Sequence, residues 1–370
     1  MKPSGMEVLP MNSKSQPSNL TVSYAGYFTP FSGYGIANIN WVKHLKRLGV
    51  VVSVQPKFEP KPGSPEWEIL NEEEREMFGK PYEVHKLGII ESNPFDFENL
   101  TTEVKIASTM CESDHLAPVW ADKLNAMDYI IVPNEFCKKV FIDSGVVRPI
   151  KIIPHGVDTE RFSYYERPKR DTFTFGIVGY LDQVDRKGGL DLMRAFSSEF
   201  DEEENVRLVL KSSDPLFGYY NRFTDPRIRV ITKNYSFPEM NELYRSFDCF
   251  VFPSKAEGVG YPPREAMATG LPTIVTNWSG LEDIALPDVS YPVAPAQQKK
   301  RPVFIEQDGN WAIPDISEIM YLMRQVYENQ DEAREKGKRA SQFISSNFSW
   351  EKCAQELKDF LCTVMIERNI

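Results

Sequence analysis

Glu257-Gly258-Val259-Gly260-Tyr261-Pro262-Pro263-Arg264-Glu265-Ala266-Met267-Ala268-Thr269-Gly270-Leu271-Pro272-Thr273-Ile274 sets two carboxylates eight positions apart around a glycine-rich turn and a Pro-Pro pair. Glycine lets backbone approach a ligand closely, and proline suits the first turn of a helix. The spacing predicts a helix over 262–269, stopped at Gly270 and followed by a strand at 271–275. Upstream, the apolar run Cys249-Phe250-Val251-Phe252 reads as a buried strand closed by Pro253 and Ser254. The unit is strand, glycine-rich loop, short helix, strand, with its loop at a strand's carboxyl end. In open α/β sheets that edge is where nucleotide-type ligands bind, and helix N-terminal amides there favour an anion.

Working outward, short apolar runs alternate with helical patterns, which predicts parallel sheets built from βαβ units. The first set places strands at 20–24, 50–54, 83–90, 104–109, 129–132 and 151–153, with helices at 36–48, 118–127 and 135–144. The second places strands at 172–178, 206–211, 228–232, 249–252 and 272–276, with helices at 189–200, 238–247, 262–269 and 280–285. Two further helical segments, 317–346 and 350–367, close the chain. A polar, proline-bearing stretch over 161–171 reads as the linker. Residues 1–19 carry Lys, Pro, Ser and Asn without an apolar core and read as a disordered lead.

The 370 residues suffice for two domains, and 41% apolar content supplies their cores. A net charge of −10 argues against nucleic acid and leaves membrane association peripheral at most. No run is long enough to span a bilayer. The five cysteines are odd in number and form no C-x-x-C pair. That argues against a disulfide framework or zinc site and points to a reducing, cytoplasmic setting.

The run from Glu257 to Ile274 resembles the E-x7-E signature of retaining glycosyltransferases of family 4, within group 1, which have the GT-B fold. The resemblance implies an α/β protein of two Rossmann-like domains whose parallel sheets face a central cleft, the C-terminal helix crossing back to the first domain. By that frame, 1–19 is the lead, 20–165 the acceptor domain, 166–348 the nucleotide-sugar domain and 349–370 the returning helix. The family's first Glu holds donor-sugar hydroxyls and its second the ribose, which assigns Glu257 and Glu265. Gly258, Val259 and Gly260 then belong to the donor loop. A carboxylate can accept from two vicinal hydroxyls, and such charge-assisted bonds are strong.

Gly179-Tyr180-Leu181-Asp182-Gln183-Val184-Asp185-Arg186-Lys187-Gly188-Gly189 resembles the family's G-R-x(4–5)-K-G diphosphate element. Lys187 matches the lysine, whereas Tyr180 stands where the family has arginine. Arg186 is the expected replacement cation. Lys211 ends a strand on the same side and is a phosphate candidate, while Arg264 reads as a surface residue. Thr29-Pro30-Phe31-Ser32-Gly33-Tyr34-Gly35 resembles the glycine loop that approaches the diphosphate, with Gly33 aligning best. Tyr235 is a candidate to stack on the base. Glu112 and His115 are rival first-domain residues on the sugar or acceptor side. His155, in Pro154-His155-Gly156-Val157-Asp158, resembles a hinge element and reads as structural.

The sequence shows no D-x-D after a strand and no metal cluster among its four histidines. The resemblance therefore implies a metal-independent hexosyl transfer without a cofactor. The donor would be UDP- or GDP-linked, and the acceptor a glycan, lipid or small-molecule hydroxyl. An epimerase or phosphorylase of the same fold, or a non-catalytic nucleotide-sugar-binding protein, is the alternative.

Overall fold

The computed structural model describes residues 20–182, 184–214, 217, 225–300 and 308–370. The expected lead at 1–19 lies outside the described residues. The first domain contains β1 (Thr21–Tyr27), α1 (Gly33–Arg47), β2 (Val51–Phe58), α2 (Pro65–Ile69), α3 (Glu72–Arg75), β3 (Leu87–Glu91), β4 (Val104–Ser108), α4 (Pro118–Asn125), β5 (Tyr129–Val132), α5 (Glu135–Asp143) and β6 (Ile150–Ile152). A 3-10 segment, Pro94–Asn99, follows β3. The strands form one parallel sheet in the order β2-β1-β3-β4-β5-β6.

The second domain contains β7 (Phe173–Gly179), α6 (Gly189–Glu199), β8 (Val206–Ser212), β9 (Ile228–Ile231), α7 (Phe237–Arg245), β10 (Cys249–Phe252), α8 (Tyr261–Ala268), β11 (Thr273–Thr276) and β12 (Tyr291–Val293). Its parallel sheet runs β12-β11-β10-β7-β8-β9. An antiparallel hairpin of β13 (Pro295–Lys300) and β14 (Asn310–Pro314) follows, then α9 (Ile316–Glu328), α10 (Gln330–Asn347) and α11 (Trp350–Arg368).

Each sheet reverses its winding once, between β1 and β3 in the first domain and between β7 and β10 in the second. Such a switch point leaves two loops diverging at the strands' carboxyl ends and opens a crevice. The core strands are apolar on both faces because helices cover both, as parallel sheets require. Phe175, Ile177, Leu208, Leu210, Phe250 and Phe252 are all buried in one cluster.

The last helix leaves the second domain at Ser349, whose side chain accepts from the Lys352 amide and caps α11. Trp350, Leu357, Leu361 and Val364 are buried with Val22, Trp41 and Leu45 of the first domain. Lys358 donates to the Leu48 carbonyl at 3.0 Å, and Tyr129 donates to Glu367 at 2.9 Å. The returning helix thus ties the two ends of the chain together.

Three local readings are corrected. The expected helix at 280–285 is a single 3-10 turn, Ser279–Leu281, because Ser279 takes φ +59°. The expected helix at 317–346 is two, broken at Asn329, which departs from helical geometry at φ −114° and ψ 50°. Arg264 is buried rather than exposed. Among the described residues, no helix is long and apolar enough to cross a membrane.

Candidate active site at the second switch point

The loops after β7 and β10 meet because Gly188, at φ +72°, turns the chain directly under Pro253. A Cβ on Gly188 would stand 2.2 Å from the Pro253 carbonyl oxygen, so only glycine admits this approach. Lys255 stitches the loops from below. Its ammonium lies 2.9 Å from both Asp185 and Asp191, and its amide donates to the Arg186 carbonyl at 2.7 Å. Asp185 in turn accepts from the Leu190 amide in the first turn of α6.

Above this base, Lys187 reaches Glu257 at 2.7 Å and Arg186 lies 3.2 Å from the same carboxylate. Ser254 donates to it at 2.8 Å. All three meet Oε1, and among the described residues no hydrogen bond reaches Oε2. Burial opposes ionisation of Glu257, but the Lys187 and Arg186 charges win and hold its carboxyl below the usual range. Burial pulls Lys187 below its ordinary value. The Glu257 backbone is fixed as well: its amide donates to Ser279 Oγ at 2.9 Å, and its carbonyl accepts from the Gly280 amide at 2.9 Å.

Arg186 also lies 3.2 Å from Glu112 of the first domain and donates to the Ala256 carbonyl. Asn134 of the first domain donates to the Gly258 carbonyl at 2.8 Å. The charge chain Glu112–Arg186–Glu257–Lys187 therefore spans the cleft between the domains. His115, the rival of Glu112, instead pairs with Ser144 at 3.3 Å and stays out of this cluster.

Glu265 sits on α8 and accepts from Tyr244 at 2.7 Å. Burial lifts its carboxyl to about 7 against the Tyr244 hydrogen bond, with Asp158 adding to the rise. Gly260 opens α8 at φ +77°, with Leu281 packed where a Cβ would point. Val259 is buried, and its carbonyl accepts from Arg264 at 3.0 Å. Arg264 also binds the Gly280 carbonyl at 3.1 Å and Asp283 at 2.6 Å, and lies over the Phe348 ring. It is a strut beneath the glycine-rich loop that carries Glu257.

Lys211 is the penultimate residue of β8, paired with Val178 of β7, and is only 7% exposed. Among the described residues its ammonium has no partner, and burial pulls its pKa down. Tyr180, by contrast, is 56% exposed. Tyr235 is half-buried against the second core, with Lys233 over its ring at 5.6 Å. Gly33 opens α1 facing Tyr261, whose ring lies 3.7 Å from where a Gly33 Cβ would stand. His155 is buried, 2.7 Å from the Tyr261 hydroxyl and 3.5 Å from Glu91.

Ser254, Asn134 and Lys255 carry no motif and escaped the sequence reading. Ser279, in Asn277-Trp278-Ser279-Gly280, resembles a family element that follows the E-x7-E strand, and its Ser-Gly pair reads as a helix cap. Only the folded chain brings them to Glu257 and its loop.

Residues 172–300 match the model of the family described as glycosyl transferases group 1. The chain is 22% identical over 243 residues to a sulfoquinovosyl transferase of Arabidopsis thaliana, an alignment covering 63% of this chain and 44% of that protein. It is 29% identical over 178 residues to a capsular polysaccharide biosynthesis glycosyltransferase of Staphylococcus aureus, covering 42% and 44%. The chain thus spans less than half the length of these relatives. Among solved structures, sucrose-phosphate synthase from Thermosynechococcus elongatus superposes with TM-score 0.71 at 14% identity, over 94% of this chain and 100% of that one. An Anabaena protein in complex with UDP and glucose superposes with TM-score 0.65 at 13% identity, over 93% and 100%. These likenesses establish the GT-B fold, and the stretch that matches the group 1 glycosyl transferases, residues 172–300, lies within the second domain.

Proposed function

We propose that this protein is a retaining glycosyltransferase of family 4 that moves a hexose from a UDP- or GDP-linked donor to a hydroxyl of a glycan, lipid or small molecule, without a metal ion. The observation that carries this reading is the Glu112–Arg186–Glu257–Lys187 chain at the second switch point. In the free protein its two cations and two carboxylates cancel. A donor diphosphate adds negative charge, which draws Lys187 and Arg186 from Glu257 and leaves that carboxylate to accept from sugar hydroxyls. Lys211, buried and unpartnered among the described residues, adds the positive charge that Tyr180 cannot supply. Three cations and the first turn of α6 then neutralise the leaving group.

In the transfer, the bond from the anomeric carbon to the diphosphate oxygen breaks while the acceptor oxygen bonds to that carbon from the same face. The departing phosphate oxygen takes the acceptor proton. Glu265 holds the ribose. The UDP bound to the Anabaena structure of the same fold supports a nucleotide donor. All five cysteines are free, four of them buried, which supports action in a reducing compartment such as the cytoplasm.

Time-resolved NMR of the sugar first released from UDP- and GDP-α-hexoses tests the stereochemistry. The α-anomer is expected to appear first. A β-anomer appearing first would contradict retention.

A further inference from the structure

The first sheet has its own switch point, between β1 and β3, and a cavity of about 330 Å³ opens there. Its walls come from the carboxyl ends of β1, β2 and β3 and from the 3-10 segment Pro94–Asn99. It therefore lies at the same edge of the sheet as the loops leading to Gly33 and Glu112. Its size falls within the range of small-ligand sites.

Asp96 is the anchor of this cavity and is 7% exposed. Its Oδ1 pairs with Lys57, and its Oδ2 accepts from Ser92 at 2.5 Å. Each oxygen keeps lone-pair capacity for a further donor. Gln55 and Asn99 add amides that both donate and accept, and Ile90 and Ala25 give an apolar floor. Lys57 and Asp96 cancel in charge, so neither an anion nor a cation is favoured. A neutral ligand rich in hydroxyls matches these groups, its C–H face on the floor and its hydroxyls on Asp96, Gln55 and Asn99.

We propose that this cavity is a subsite for a neutral hexopyranose unit of the acceptor. The assignment of an acceptor rests on the glycosyltransferase reading above. The site is distinct from the Glu257 cluster, which belongs to the other sheet's switch point. It would select a glycan-bearing acceptor over a simple lipid or small alcohol.

Saturation-transfer NMR on the full chain tests the proposal with the methyl pyranosides of glucose, galactose, mannose and N-acetylglucosamine. UDP and GDP binding is measured on the same samples. At least one glycoside is expected to receive saturation from the wild type and to lose it by about tenfold in both Asp96→Asn and Gln55→Ala. Nucleotide binding should be unchanged in both. Gln55→Ala decides the matter if Asp96→Asn fails to fold, because Gln55 carries none of the buried pairing. No saturation in the wild type, or saturation undiminished in Gln55→Ala, would overturn the proposal. Failure of the wild type to bind either nucleotide would instead count against the donor site.

Discussion

Raising the pH from 6 to 8 is expected to strengthen sugar-nucleotide binding about tenfold, through Glu265. Burial holds this carboxyl at about 7 in the free protein, despite the 2.7 Å hydrogen bond from Tyr244. Only the ionised form can accept from both ribose hydroxyls. With a pKa of about 7, roughly one tenth of the molecules are ionised at pH 6 and roughly nine tenths at pH 8. The sign follows: protonation competes with the donor below pH 7, and the competition is gone above it. The difference corresponds to about 1.4 kcal/mol. The assay is isothermal titration with a UDP-hexose, which carries no phosphate titrating in this window, in buffers of differing protonation enthalpy. Near pH 7 binding should release about half a proton, since the complex holds Glu265 ionised. Glu265→Gln should bind more weakly and lose the pH slope. An equal slope in wild type and Glu265→Gln would refute the reasoning, as would flat affinity in the wild type.

Lys211→Met is expected to weaken donor binding about tenfold while leaving the melting temperature equal or higher, because it removes a lysine whose charged form burial disfavours and whose ammonium has no partner among the described residues. Nucleotide titration and a thermal melt check the two halves separately. Glu91, fully buried, has its carboxyl raised to about 8. Its folded value therefore exceeds its unfolded one, so its contribution to stability is greatest at low pH and is lost as pH rises from about 4.5 through 8. Glu91→Gln should therefore stabilise the protein at pH 8.5 by on the order of 4 kcal/mol relative to its effect at pH 5, as read by urea denaturation. Arg264→Ala should cost about 3 kcal/mol in the same denaturation assay, because it removes buried charge-assisted bonds to Val259, Gly280 and Asp283.

The strand-and-helix alternation was legible because glycine and proline punctuate it and because buried parallel strands read as continuous apolar runs. The loop around Glu257 was legible for the same reason: Gly258, Gly260 and Pro262 announce the turn and the helix. What the sequence concealed is non-local. Arg264 looks like a surface charge in a helical pattern, and only the return of Gly280 and Phe348 to the same spot buries it. The partners of Arg186 are Glu112, Ala256 and Glu257, contacts formed across loops and domains that no spacing encodes. The β13–β14 hairpin was missed because Pro295 and two glutamines break the strand pattern. The cavity beside Asp96 has no motif at all, since four separate segments build it.

Release of UDP or GDP from a panel of UDP- and GDP-hexoses in EDTA, comparing wild type with Glu257→Ala, tests the central claim most directly. Turnover of one donor, undiminished by EDTA and lowered at least about a hundredfold in the variant, is the predicted result. A wild type that binds neither nucleotide, or a Glu257→Ala protein that turns the donor over at the wild-type rate, would contradict it.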